Sequence, residues 1–354
     1  MIEETRGNIL AVDAEALVNT VNCVGVMGKG IALQFKQAFP DNFRAYERAC
    51  RHGELRLGSV FVFETGSLTN PRYILNFPTK DHWRSRSRLD EIEAGLQDLV
   101  EVIQRLGIQS VAMPPLGCGN GGLDWVDVRP RIEAAFADLP DVRVLLFAPR
   151  GAPAAEAMPV RTSRPEMTAA RAVLLKLMEQ YSELDYRHTL LEIQKAAYFL
   201  QEAGEPLQLQ FKPERYGPYA HNLNHVLQRL EGHYTRGYGD SQKPDTEIWL
   251  LEGATRHADA YLVTDDAARA HLERVGALIL GFETPYGMEL LATVHWVATR
   301  NEPPASSPDE ATQIIHAWNA RKRRLFQPEH VAIAWQRLTE GGWLNVTHPH
   351  PAMA

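Results

Sequence analysis

Residues Val18–Phe35, VNTVNCVGVMGKGIALQF, narrow the choice of fold more than any other stretch of this chain. An apolar lead-in breaks into Gly25, Gly28 and Gly30 and then continues at helical spacing, which reads as strand, glycine loop and helix start. Glycine admits positive φ and lets backbone close on a bound group, while unpaired N–H groups at a helix N-terminus attract anions. A polyphosphate ligand is therefore the first expectation. The spacing fits neither GxxxxGK[ST] nor GxGxxG, so the loop indicates neither a nucleoside triphosphatase nor a Rossmann site. Either reading of such a loop, structural or ligand-binding, is open when it stands alone. Here a second one, Pro114–Leu123, PPLGCGNGGL, follows another apolar run.

Strands and helices alternate around both loops. Ala16–Val21, Ser59–Glu64, Tyr73–Phe77, Ser110–Met113 and Val142–Phe147 read as strands; Ile31–Phe39, Asn42–Cys50, Asp90–Leu106 and Val126–Ala137 read as helices. The residues before Asn8 read as a polar opening. Such alternation implies an α/β sandwich with a mostly parallel sheet, whose ligands sit beyond the carboxyl ends of the strands. Both glycine loops fall there.

The 354 residues carry a net charge of −7, shared by both halves, so neither half is a basic nucleic-acid binder overall. Three cysteines, Cys23, Cys50 and Cys118, lack CxxC spacing, which argues against a disulfide framework or a zinc site and fits a reducing cytoplasm. Neither a signal peptide nor an apolar run long enough to span a bilayer is evident, and a cytoplasmic protein is expected.

TRGNIL near the start, NTVNCVGVMGKGIALQF and PPLGCGNGGLDW together resemble the macrodomain, a module that binds ADP-ribose. The resemblance covers residues 1–155 and implies a three-layer α/β/α sandwich with a mixed sheet. MGKGIALQFK with NFPTKDHW is similar to the branch that holds terminal ADP-ribose protein glycohydrolase and, more closely, the bacterial DNA ADP-ribosyl glycohydrolase antitoxins of the DarG family. That implies hydrolysis of ADP-ribose from thymine in single-stranded DNA, repair of the damage done by a DarT-type ADP-ribosyltransferase toxin, and no cofactor or metal.

Carried over residue by residue, Asn8 and Ile9 lie by the adenine, although many macrodomains have Asp in place of Asn8. Gly28, Lys29, Gly30 and Ile31 form the first loop near the distal ribose. Backbone groups of Leu116, Gly117, Cys118, Gly119, Asn120, Gly121 and Gly122 wrap the diphosphate. Asn22 could orient the ribose through its hydroxyls, or form only a local Asx turn. Lys80, in the family's NFPTK segment, carries the chemistry: as a neutral amine it attacks the anomeric carbon, and as an ammonium it protonates the departing base. The protein-directed relative pairs its lysine with an Asp where this chain has Gly121. Asp124 is the nearest substitute, or else a cap for the following helix.

Directly after Lys80 comes DHWRSRSR. Arginine with an aromatic suits single-stranded DNA, which is held by its phosphates and by base stacking. His82, Trp83, Arg84, Arg86 and Arg88 are the DNA-binding candidates; a solvated turn is the plainer reading.

Arg150–Pro165 reads as a linker, placing domains at 1–155 and 166–354 with 156–165 between them. The second domain is mainly helical, with helices expected over Met167–Gln180, Leu190–Ala203, Leu223–Leu230, Ala267–Leu280, Met288–Arg300, Asp309–Ala320 and Glu329–Glu340. LLEIQKAAYFLQEAG and ERYGPYAHNLNHVL resemble the Panacea-type antitoxin domain, which implies binding to the toxin. Arg321-Lys322-Arg323-Arg324 reads as a solvated helix end, Asp265 and Asp266 as candidate phosphate mimics, and the tail with His348 and His350 as disorder. Two other functions stay open: a non-catalytic ADP-ribose reader, and a hydrolase acting on modified protein.

Overall fold

The computed structural model describes residues 1–149, 158–182, 188–239 and 244–344. The first half of the stretch 150–165 read as a linker, and the His-rich tail with His348 and His350, fall outside these residues. By contact the chain divides into two units, Met1–Arg164 and Pro165–Arg236 with Lys243–Ala354; residues 237–239 go with the first.

The first unit opens with β1 (Ile2–Thr5), a 3-10 turn at Ile9–Ala11 and β2 (Ala16–Asn22), then α1 (Gly30–Ala38) and α2 (Pro40–Arg51). β3 (Phe61–Glu64), β4 (Tyr73–Lys80), α3 (Leu89–Leu106), β5 (Ser110–Met113), α4 (Trp125–Ala135) and β6 (Arg143–Phe147) complete it. The six strands lie in the order β1-β6-β5-β2-β4-β3, with every pairing parallel except β3 to β4. Alternation along β2 sorts its side chains to two cores. Ala16 and Val18 join Ile92, Leu96 and Leu99 of α3, while Leu17 meets Phe35 of α1 on the other face. The result is the three-layer α/β/α sandwich of a macrodomain.

β1 corrects the reading of a polar opening. It is an edge strand whose partner, β6, lies at the other end of the unit, with Ile2 opposite Val144 and Thr5 opposite Phe147. Glu3 pairs with Arg143 and Glu4 with Arg129, so its polar residues have partners that local pattern cannot reveal. α3 follows its sequence closely. Its apolar residues recur at three and four, and Gly107 at φ +64 ends it, with the Ile108 N–H reaching back to the Ile103 carbonyl.

The second unit contains α5 (Ala169–Ser182), β7 (His188–Thr189), α6 (Leu190–Glu202), β8 (Phe211–Glu214), β9 (Gly217–Ala220), α7 (Leu223–Leu230), β10 (Thr235–Arg236) and β11 (Glu247–Leu250). Helices α8 (Ala254–Leu262), α9 (Asp266–Ile279), α10 (Pro285–Thr299), α11 (Pro308–Trp318), α12 (Ala320–Leu325) and α13 (Pro328–Glu340) follow. α6 is buried along nearly its whole length and starts at a capping box between Thr189 and Glu192. Its Lys195 ammonium donates to the Pro218 carbonyl at 2.7 Å, tying the YGPY segment to the helix.

The basic cluster at Arg321–Arg324 is not simply solvated. Lys322 is fully buried, with Nζ 2.9 Å from Glu289 Oε1 and 3.0 Å from Thr293 Oγ1, and Arg321 grips both Glu289 oxygens. Asp265 is likewise structural, since it caps α9 by accepting from the Ala268 N–H, and Asp266 pairs with Arg269.

Candidate active site

Three strands deliver the site: β2 ends at Asn22, β4 at Lys80, and β5 runs out into the second glycine loop. β2 and β4 keep register from Ala16 opposite Tyr73 to Val21 opposite Pro78, then slip so that Asn22 faces Lys80. Pro78 is tolerated in an inner strand because the pairing of β4 with β3 has already ended at Asn76. Lys80 is thus the last residue of the strand, which runs three residues past the expected end at Phe77.

The Lys80 side chain folds inward, leaving the residue 9% exposed. Its Nζ donates to the Trp83 carbonyl at 3.1 Å and to the Asn120 carbonyl at 3.0 Å. Two of the amine's directions are therefore fixed, and the remaining one carries a lone pair in the neutral form or an N–H in the ammonium. Burial pushes the amine below the ordinary lysine range. The nearby thiols differ. Burial, with Asp81 and Asp124 adding to it, pushes Cys23 and Cys118 each up to about 11, so neither supplies a thiolate near neutral pH.

Asn22 is committed to the first loop. Its Nδ2 donates to the Val26 carbonyl at 2.6 Å, and its Oδ1 accepts from the N–H groups of Val24 and Val26 at 3.0 and 3.3 Å and from the Tyr46 hydroxyl at 3.2 Å. Of the two readings of Asn22, this geometry is the Asx turn. One Nδ2 hydrogen remains for a ligand.

No side chain caps α1, whose N-cap residue is Lys29, so its first-turn N–H groups suit an anion. The Gly30 N–H itself is already taken by the Gly239 carbonyl, and the Lys29 ammonium sits 4.3 Å from the ring centroid of Tyr238. The two glycine loops meet where a Cβ on Gly30 would lie 3.4 Å from Asn120 Nδ2. In the second loop, Gly117 and Gly122 have φ of +70 and +77. Gly121 does not, and is required instead by space, since a Cβ there would collide with Ser87 Oγ and the Gly117 carbonyl. Gly119 has neither constraint. Leu116 is buried in the core and Cys118 bonds back to the Leu116 carbonyl at 3.4 Å, and the loop reaches the Lys80 amine through the Asn120 backbone carbonyl.

The Macro domain family profile matches residues 18–132. A DNA ADP-ribosyl glycohydrolase of Thermus aquaticus is 48% identical over 347 residues, spanning 98% of this chain and 95% of that protein. One of Mycobacterium tuberculosis is 47% identical over 355 residues, spanning 96% and 99%. The solved macrodomain of M. tuberculosis DarG is 59% identical, covering 42% of this chain and 99% of that one, with a TM-score of 0.42. The chain belongs to the DNA ADP-ribosyl glycohydrolase family.

In this glycohydrolase the stretch after Lys80 forms an exposed bend. Arg84 lies 4.4 Å from the Trp83 ring centroid, the His82 and Trp83 rings stand 5.1 Å apart, and the His82 Nδ1 accepts from the Arg84 N–H at 3.2 Å. Arg86 is exposed. Arg88 differs from the other candidates, because its guanidinium forms a bidentate pair with Asp90 at 3.1 and 2.7 Å and its charge is matched at the start of α3. Asp124 is the helix cap, with Oδ1 accepting from the Val126 N–H at 3.1 Å. Asn8 caps the 3-10 turn through the Leu10 N–H, and Ile9 is buried in the core beside Phe35.

Sequence reading missed what lies beneath the site. Asn19 donates to Asn76 at 3.0 Å and Asn76 to Asn42 at 2.7 Å, locking β2, β4 and α2 together under the loops. Polar Asn19 and Asn76 inside apolar strand runs were the available signal. Ser87 was passed over in the basic stretch, although its N–H donates to the Gly121 carbonyl at 3.0 Å.

Proposed function

We propose that this glycohydrolase removes ADP-ribose from thymine bases of single-stranded DNA in the cytoplasm, and that its second half binds and neutralises a DarT-type ADP-ribosyltransferase toxin. The observation that carries the enzymatic reading is the Lys80 amine, held between a carbonyl of the diphosphate loop and a carbonyl of the Trp83–Arg84 bend. An amine there faces the junction between an ADP-ribose on the loops and a DNA strand on the bend.

The reaction breaks the bond between the anomeric carbon and the base nitrogen. Lys80 acts as the neutral amine, which burial favours: its lone pair attacks the anomeric carbon, the base leaves with the bonding electrons, and the proton shed by the attacking nitrogen passes to the base. Water then gives its hydroxide to the same carbon and its proton to the nitrogen, which releases the amine. N–H groups at the start of α1 and in Gly117–Gly122, apart from those of Gly30, Cys118 and Gly122 that bond to backbone carbonyls, bind the diphosphate, as glycine loops and helix starts do for anions.

Relatives named DNA ADP-ribosyl glycohydrolase support the substrate, and one in Thermosipho africanus is named as a transferase–glycohydrolase fusion, 37% identical over 140 residues. That fusion supports a DarT-type partner for the chain, and the assignment of the contact to residues 166–354 rests on the resemblance of their motifs to the Panacea-type domain. Incubation with thymine-ADP-ribosylated single-stranded DNA should release ADP-ribose; release from modified protein but not from DNA would move the substrate to protein. Full-length chain should also capture inactive toxin in a pull-down, and failure to do so would remove the antitoxin-by-binding half of the reading.

A further inference from the structure

The direction of the Lys80 amine depends on two segments that are far apart in sequence, because its two acceptors are the carbonyls of Trp83 and Asn120. Whatever keeps those segments together sets the amine. Besides Lys80 itself, Ser87 joins them. Its backbone N–H donates to the Gly121 carbonyl, and its side chain is packed into the curve of the loop: a Cβ on Gly117 would lie 3.1 Å from Ser87 Cβ and 3.3 Å from Ser87 Oγ.

The Ser87 hydroxyl is the unexplained part. The residue is 6% exposed, and Oγ is buried without a hydrogen-bond partner. Packing and the backbone bond need only a Cβ and an N–H, which alanine would supply, and a buried hydroxyl without a partner is destabilising. Ser87 Oγ and the Gly117 carbonyl press against the same point beside Gly121, where a Cβ would collide with both. A carbonyl of the diphosphate loop, that of Gly117, therefore lies close to the hydroxyl without accepting from it.

We propose that Ser87 is a positioning residue: when the second loop tightens around a diphosphate, its hydroxyl donates to the Gly117 carbonyl. The loop bearing Asn120 and the bend bearing Trp83 and Arg84 then close as one piece, with the Lys80 amine held between them. This rests on the ADP-ribose reading of the loops, since the diphosphate is what tightens them. Ser87 touches no reacting atom in this scheme, and its effect reaches the reaction through the amine.

The test is Ser87→Ala in the full chain, read by calorimetry with free ADP-ribose, by steady-state kinetics on ADP-ribosylated single-stranded DNA, and by thermal melting without ligand. The expected result is a melting temperature equal to or above wild type, ADP-ribose affinity about tenfold weaker, and a fall in kcat as well as in kcat/KM, the size of one hydrogen bond made only with ligand bound. A melting temperature that drops along with affinity would make Ser87 an ordinary packing residue and overturn the proposal, as would unchanged affinity and kcat. Wild-type chain that itself binds no ADP-ribose would instead remove the reading of the loops.

Discussion

Lys80 at the end of β4 and Lys195 on α6 are both buried, both donate to backbone carbonyls, and both have amines pushed below the ordinary lysine range by burial. Lys195 goes further, down to about 7, with burial first and Lys322 adding, while Glu289 opposes. By shift alone it would be the stronger nucleophile. Its surroundings say otherwise: Lys195 is 1% exposed, pinned to Pro218 between α6 and β9, and backed by the packed Lys322–Glu289 pair. Lys80 stands at the carboxyl end of a parallel strand, between two glycine-rich segments, with one direction of its amine left open. A depressed amine records desolvation; access to a ligand-binding loop is what turns it toward chemistry.

The largest effect separating the two belongs to Lys80→Ala. Release of ADP-ribose from modified DNA should fall by about 10³-fold or more, while free ADP-ribose binds within about tenfold of wild type, because binding rests on loop backbone and turnover on the amine. The wild-type rate should climb with pH and level off below the ordinary lysine value of 10.5, as expected for an amine that must lose its proton and whose pKa is lowered. A variant that turns over normally would place Lys80 in the same class as Lys195.

Next in size is the internal cluster. Glu289 is 1% exposed and matches both Lys322 and Arg321, so Glu289→Ala strands a fully buried ammonium and should cost about 3–5 kcal/mol. Hydrogen exchange of the α10 amides reads that loss locally, and protection unchanged from wild type would mean the cluster is not structural.

Lys195 tests the comparison through pH. Its folded value of about 7 lies under the unfolded value of 10.5, so between them the unfolded chain holds the extra proton and stability rises with pH. Below about 7 the burial cost is fully present; above the unfolded value it is gone. Lys322, also lowered by burial, contributes with the same sign. Lys195→Met should flatten the climb in urea midpoint between about pH 7 and 10, by up to about 1.4 kcal/mol per pH unit, and leave ADP-ribose release unchanged. A steep climb that survives in the variant would mean that Lys195 is not the titrating group.

What the sequence made legible follows from what is local. The helices and inner strands of the first unit were readable because each carries its own period, and both glycine loops because glycine is conspicuous where a strand runs out. β1 was missed since its partner is more than a hundred residues away, and the cluster at Arg321 was misread since burial by Glu289 depends on α10. In the second loop Gly117 and Gly122 have positive φ and Gly119 and Gly121 do not; sequence shows that a loop needs glycine, not which glycine turns and which only makes room. Ser87 was invisible for the same reason, its partner being a loop more than thirty residues on.

The smallest effect concerns Trp83, and it separates substrate contact from the holding of Lys80. The Trp83 side chain is half-buried under Arg84, whereas its contribution to Lys80 is the backbone carbonyl, which alanine retains. Trp83→Ala should therefore spare free ADP-ribose binding and the pH profile of the amine. It should raise KM for DNA-linked ADP-ribose by about 5–10-fold, the low end of the 1–3 kcal/mol that base stacking supplies, because the ring already shares one face with Arg84. Raising salt should weaken DNA substrate further through Arg84 and Arg86 and leave free ADP-ribose less affected, since the strand brings the additional phosphates. If Trp83→Ala instead lowers kcat with KM unchanged, the bend acts on the amine rather than on the strand, and Lys80 owes its position to the tryptophan side chain as Lys195 owes its own to packing.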